Sequence, residues 1–142
     1  MIKVAISTGR VGDIAESCVM GELLKRGYSV SIPFNSCRYD LIAEQLGRFR
    51  RIQVKYVGGS TETNTIPVVL HSICRKGRVK YTKNDIDFVV VYLAANGRFY
   101  IVPAKDFGGK MVLHLRLVES KNKQKRNITL ASTYENKWNL LE

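Results

Sequence analysis

The sequence predicts a mixed α/β fold: an N-terminal helix, a three-strand antiparallel meander, further strands and a C-terminal extension. Three observations predict it. One stretch near the N-terminus carries apolar residues at helical spacing and stops at a glycine. The segments after it alternate apolar and polar residues between short turns. A later run, Asp85-Ile86-Asp87-Phe88-Val89-Val90-Val91-Tyr92, is apolar without alternation, as in a strand covered on both faces.

The elements follow in order. Gly12 to Arg26 reads as the helix, with Ile14, Cys18, Leu23 and Leu24 near helical spacing, Ala15 and Val19 beside them, and Gly27 as its stop. Tyr28 to Pro33 alternates as a first strand, and Asn35 to Arg38 turns the chain. Tyr39 to Glu44 is the second strand; Gln45, Leu46 and Gly47 reverse it into a third, Arg48 to Val57. Gly58-Gly59 and the polar Ser60 to Thr65 end the meander. Val68 to Leu70 suits a short strand, followed by a basic turn, Arg75 to Arg78. Asp85 to Tyr92 and Arg98 to Val102 form a hairpin around Asn96-Gly97. Met111 to Val118 alternates as another strand, and Ile128 to Glu142 suggests a short terminal helix.

At 142 residues a single domain, 1–142, is the expectation. Within it a basic hairpin spans about 66–83 and the extension about 119–142. A hydrophobic content of 45% excludes general disorder. No apolar run approaches the roughly 18 residues of a membrane span, and no secretory leader is evident. A cytoplasmic protein with no membrane partner is expected. Cys18, Cys37 and Cys74 are too few and too scattered for a disulfide framework or zinc ribbon, so three reduced, mostly buried thiols are expected. His71 and His114 have no partner pattern.

The charge is the unusual feature. Lys plus Arg number 23 against 12 Asp plus Glu, a net charge of +11. Arg48 to Lys83 holds nine basic residues and one acidic, net +8, and Lys110 to Arg126 holds six and one, net +5. The remainder, eight basic and ten acidic, is net −2. The excess therefore lies in two stretches, which fits a polyanion. Arg75, Lys76, Arg78, Lys80 and Lys83, with Tyr81 among them, form one candidate DNA contact. Lys121, Lys123, Lys125 and Arg126 form the other, and Arg38 joins them. A two-stranded ribbon fits the major groove, where arginine pairs with guanine edges.

The candidate chemistry sits in the meander. Gln53 and Lys55 share one face of the third strand, while Ile52 and Val54 share the other. The second strand pairs with the third, so Asp40 falls across from Gln53 and Lys55; Glu16, on the preceding helix, can join them. A carboxylate and an amide oxygen suit a hard cation such as Mg²⁺. A lysine beside it can orient water and offset charge developing on phosphate. Asp40 as a turn cap, Gln53 as a solvent-face polar residue, Lys55 as an edge-strand lysine and Glu16 as a solvated helix residue are the plainer readings. Asp85 and Asp87, at the head of a buried strand, suit a salt link to arginine better than a second metal site.

Asp40, twelve residues, then Gln53-Val54-Lys55 resembles the PD-(D/E)XK nuclease signature, with Tyr39 for its Pro and Gln53 for its second acid. Glu16 matches the extra helical acid of many members. Over most of the chain, Gly12-Asp13-Ile14-Ala15-Glu16, Arg38-Tyr39-Asp40-Leu41, Ile52-Gln53-Val54-Lys55, and Asp85-Ile86-Asp87-Phe88 leading to Tyr100-Ile101-Val102-Pro103 are similar to the small PD-(D/E)XK homing endonucleases associated with group I introns. The resemblance implies a restriction-endonuclease-like core and Mg²⁺-dependent cleavage of double-stranded DNA, with Mn²⁺ as a substitute. It implies metal ligands at Asp40, Gln53, Glu16 and the Val54 carbonyl, Lys55 on the attacking water, and a 5′-phosphate product. A Holliday-junction-type nuclease and a non-catalytic DNA-binding module are the alternatives. One site per chain and two strands to cut imply a homo-oligomer, dimer or tetramer. Tyr134 and Trp138, standing apart from the core pattern, mark 128–141 as its expected interface.

Overall fold

The computed structural model of the chain describes residues 5–119, 121 and 127–142. Helix α1 runs Thr8–Lys25, four residues earlier than the periodicity indicates. Ser7 explains the early start: its hydroxyl accepts the backbone N–H of Arg10, satisfying one of the first turn's free donors. Ala15, Val19 and Leu23 form the buried stripe at a strict i, i+4, i+8 spacing. Ile14 and Leu24, expected on that stripe, are exposed instead. The small Ala15 lets the helix sit closely on the sheet. Gly27 then reverses the chain with φ +81°.

The meander is present: β1 (Ser29–Ser31), β2 (Leu41–Gln45) and β3 (Arg48–Val57) pair antiparallel in turn. Leu46 and Gly47, with φ of +52° and +75°, make the two-residue turn between β2 and β3. β4 (Thr65–Val69), β5 (His71–Cys74) and β6 (Gly77–Lys80) follow, then β7 (Phe88–Leu93), β8 (Arg98–Pro103), β9 (Val112–Arg116) and β10 (Thr129–Leu130). The main sheet has the order β1-β2-β3-β7-β8, with β3 parallel to β7. A second sheet, β10-β9-β4, and the β5–β6 ribbon complete the strands among the described residues.

The main sheet carries a core on each face. Ala15, Val19 and Leu23 of α1 cover Ile52, Val54, Val90 and Ile101. Ile66, Val68 and Leu115 of the second sheet cover Val89, Val91 and Val102 on the other side. This is why β7 has no alternation: both of its faces are dry. Ten fully buried Leu and Ile side chains, at about 1.5–3 kcal/mol each, outweigh any single polar contact here.

Three expectations need correction. Residues 128–142 form no terminal α-helix; they hold β10 and two 3₁₀ turns, Ala131–Thr133 and Trp138–Leu141. Backbone bonds explain it: Ile101 N–H donates to the Tyr134 carbonyl and Asn136 N–H to the Phe99 carbonyl, so the segment seals the open edge of β8. Tyr134 and Trp138 belong to the chain's own two cores, so they do not mark an interface; Trp138 packs tilted against Phe99, with ring centres 5.3 Å apart, under the Arg26 guanidinium. The cysteines are not mostly buried: Cys37 and Cys74 are exposed, on a loop and at the ribbon's tip, and Cys18 is half-buried.

Among the described residues, no helix is long and apolar enough to cross a membrane.

Candidate active site

The register of β2 on β3 builds the site. Leu41 pairs with Ile52, so Asp40, one residue before β2, falls beside Gln53. The strand ladder stops there, leaving the inward N–H of Val54 without a strand partner. Asp40 replaces the missing strand: its Oδ2 accepts from Val54 N at 2.8 Å and from Gln53 Nε2 at 2.6 Å, while its own N–H donates to the Ile52 carbonyl. Gln53 is the only polar residue among the buried described side chains. Its amide nitrogen also lies 3.5 Å from the Val54 carbonyl.

Three oxygen-bearing groups thus meet at one point: the Asp40 carboxylate, the Gln53 amide and the Val54 carbonyl. The amide NH₂ stands between two oxygens, where a cation would also satisfy both. Turning the amide about Cγ–Cδ would present its oxygen instead. This all-oxygen donor set fits a hard divalent ion. Among the described residues no three His, Cys, Asp or Glu side chains converge, so such an ion would depend on the amide and the carbonyl.

The electrostatics agree. Burial pushes the Asp40 carboxyl up from its ordinary value, against the lowering effects of the Val54 N–H, Lys55 and Gln53. Burial also raises Glu16, and the nearby charges of Asp40 and Asp13 raise it further. A carboxyl whose charge is disfavoured by burial and by a neighbouring carboxylate, as at Glu16, favours a bound cation. Lys55, on an inner strand and half-buried, is lowered chiefly by burial, with Asp40 acting in the opposite sense. Its Nζ lies 5.4 Å from the centre of the Tyr81 ring.

Asp85 and Asp87 both face arginine. Asp87 Oδ2 accepts from the Arg51 backbone N–H at 2.7 Å, and Oδ1 from Arg51 Nη2 at 2.9 Å. Asp85 Oδ1 lies 3.2 Å from Arg38 Nε, an ion-pair contact without hydrogen-bond alignment.

The basic residues divide by exposure. Arg75 and Lys76 occupy the turn between β5 and β6, and Arg78, Lys80 and Lys83 are exposed beyond it. Arg78 lies opposite Ile73 and Lys80 opposite His71, so both cations share one face of the ribbon. Lys121 is exposed; Lys123, Lys125 and Arg126 lie outside the described residues. Arg38 is turned inward. It donates to Ser72 Oγ (3.3 Å) and to the carbonyls of Val79 (3.3 Å) and Lys80 (2.7 Å), and its guanidinium lies 4.9 Å from the Tyr81 ring centre. Sequence reasoning missed the place of Tyr81; its one signal was a single aromatic within a basic run.

A family profile described as PD-(D/E)XK endonuclease matches residues 6–137. The chain belongs to the PD-(D/E)XK endonuclease family. Among solved structures, it is similar to the bacterial homing endonuclease I-Ssp6803I at 30% identity and a TM-score of 0.77, covering 95% of this chain and 93% of that one. No protein with a curated description matches the sequence. The fold is restriction-endonuclease-like, and this PD-(D/E)XK protein is a DNA-cleaving enzyme. Nucleases of the family generally depend on a divalent metal.

Proposed function

We propose that this PD-(D/E)XK enzyme is a Mg²⁺-dependent, sequence-specific endonuclease of the intron-homing type, cutting both strands of duplex DNA. The observation that carries the reading is the convergence of the Asp40 carboxylate, the Gln53 amide and the Val54 carbonyl, with Lys55 on the same strand face as Gln53. The similarity to a bacterial homing endonuclease supports the homing assignment.

In this mechanism Asp40, Gln53, the Val54 carbonyl and Glu16 would hold the ion. When bound, Mg²⁺, or Mn²⁺ in its place, supplies Lewis-acid polarisation of the phosphate and acidifies water. Lys55 orients the attacking water and offsets negative charge growing on the phosphate. Asp40 also holds the Val54 peptide in place, so the strand and its carbonyl stay aligned. Attack in line leaves a 5′-phosphate, as the family resemblance implies. Arg75, Lys76, Arg78, Lys80 and Lys83 on one side, and Lys121, Lys123, Lys125 and Arg126 on the other, contact the duplex. Each chain carries one site, so a homo-oligomer, dimer or tetramer, cuts the two strands.

The test is cleavage with Mg²⁺ of a linear duplex spanning an intron insertion site, beside a four-way junction of unrelated sequence. Cutting at one site in the linear duplex supports the homing reading. Preference for the junction regardless of sequence would favour a resolvase instead, and binding without Mg²⁺-dependent cutting would overturn the enzyme mechanism.

A further inference from the structure

Tyr81 connects two parts of the molecule that the function treats separately. It follows β6 directly, and its N–H donates to the Leu70 carbonyl, which fixes both ends of the ribbon at one place. The ring is buried, at 6% exposure, between the second sheet and the site. Two cations approach it: Lys55 Nζ at 5.4 Å and the Arg38 guanidinium at 4.9 Å from its centre. Both distances are within the range at which an aromatic face attracts a cation. Two like charges at one ring repel each other unless each has its own counter-charge. Here each has one: Asp40 acts on Lys55, and Asp85 lies 3.2 Å from Arg38.

Arg38 is fixed from several directions. It holds Ser72 of β5 and the carbonyls of Val79 and Lys80 at the end of β6, and it lies two residues before Asp40. Ribbon, ring and site are therefore joined through one short chain of contacts. Lysine has four rotatable side-chain bonds, and a half-buried ammonium needs something to hold it on one side. Asp40 acts on Lys55 through its charge, but among the described residues no ion pair or hydrogen bond joins the two, and Asp40 Oδ2 instead serves Gln53 and Val54.

We propose that Tyr81 is a positioning residue: its ring face holds the Lys55 ammonium beside Asp40, and Arg38, braced by Asp85, locks the ring to the base of the basic ribbon. The role of Lys55 in cleavage rests on the function proposed above; the placement of its ammonium does not. Burial, then the charge of Asp40, raises the Tyr81 hydroxyl, so the phenol stays protonated and acts through its face.

Two measurements on the full-length protein test this. The first is the NMR signal of the lysine ε-CH₂ groups after ¹³C-lysine labelling, with Lys55 assigned by its disappearance in Lys55→Arg. A ring face over the ammonium shifts that signal away from the other lysines. Tyr81→Leu should return it to their position, and Tyr81→Phe should leave it shifted. The second is single-turnover cleavage with Mg²⁺, beside duplex affinity measured with Ca²⁺. Tyr81→Leu should cut roughly ten-fold more slowly, the effect of one partly desolvated cation–π contact, with affinity within about two-fold. Tyr81→Phe should restore the rate. A Lys55 signal unshifted in the wild type, or unmoved by Tyr81→Leu, overturns the positioning role. So does slowing that Leu and Phe share equally, or that follows duplex affinity. A wild-type protein that shows the shifted signal but cuts no DNA overturns the nuclease mechanism and leaves the placement standing.

Discussion

Replacing the neutral amide with an acid, Gln53→Glu, restores the ordinary PD-(D/E)XK pattern and probes the site's charge directly. In the native protein Gln53 donates to Asp40 at 2.6 Å. Glutamate cannot donate when ionised, so two carboxylates would face each other in a largely buried place. Two unit charges relaxed to about 4 Å apart repel by about 4 kcal/mol at the effective dielectric of a protein surface. Losing a hydrogen bond to a charged group adds about 1.5–3 kcal/mol. Uptake of one proton by the pair limits the net loss to about 3 kcal/mol. The sign with pH follows from Asp40, whose carboxyl is already raised by burial. A carboxyl with a folded pKa above its unfolded one binds more protons in the native state, so stability falls as pH rises through the raised value. Urea unfolding with a chelator should therefore show the largest deficit near pH 8 and a smaller one as pH falls. Added Mg²⁺ should recover most of the deficit and reach half-maximal cleavage at a lower concentration than in the wild type. A variant as stable as wild type without metal, with an unchanged Mg²⁺ midpoint, would refute Gln53 as a ligand.

Other consequences follow from named contacts. Asp87→Asn should cost about 1–2 kcal/mol at pH 7, a modest value because the Arg51 pair is about one-third exposed. Burial raises Asp87, but its bonds and charge contact with Arg51 outweigh that and hold it below 3.8. Its contribution is therefore complete above the ordinary value and is lost as pH falls through the lower folded one; urea midpoints of the two proteins should converge in acid. Trp138→Ala should cost about 3–5 kcal/mol by leaving a cavity against Phe99, with no change in oligomer mass by light scattering at low temperature. A dissociated but equally stable protein would return 128–141 to the interface. Neutralising Arg75, Lys76, Arg78 and Lys80 together should weaken duplex binding and flatten its salt dependence by up to about 3–4 in log–log slope. The cleavage rate at saturating protein should survive. Neutralising Lys121, Lys123, Lys125 and Arg126 should do the same.

The meander was legible because its signals are local. Gly27 and the Leu46-Gly47 turn punctuate it, and the alternation of Ile52, Gln53, Val54 and Lys55 fixes the faces. Once β2 and β3 pair, the placement of Asp40 beside Gln53 follows from counting. The unbroken apolar run of β7 likewise revealed two covered faces. The helix start was hidden because Gly9 and Gly12 weaken the helical signal, while Ser7 caps without an acid three residues on. The helix face was misjudged because Ala15 contributes little hydrophobicity yet permits close approach. The terminal segment failed for a different reason. Its order comes from bonding to β8, about 35 residues earlier in the chain, which no periodicity within 128–142 records. Arg38 carried no sign of its inward course, since its partners on β5, β6 and at Asp85 are 34 to 47 residues away.

The most direct test of the central claim is the mapping of DNA ends left on a linear genomic duplex by the wild type, Asp40→Ala and Lys55→Ala, with and without Mg²⁺. Discrete, recurrent ends should arise only from the wild type with Mg²⁺, while both variants still bind duplex. Equal cutting by Lys55→Ala, or bound DNA left intact by the wild type with Mg²⁺, would contradict hydrolysis at this site.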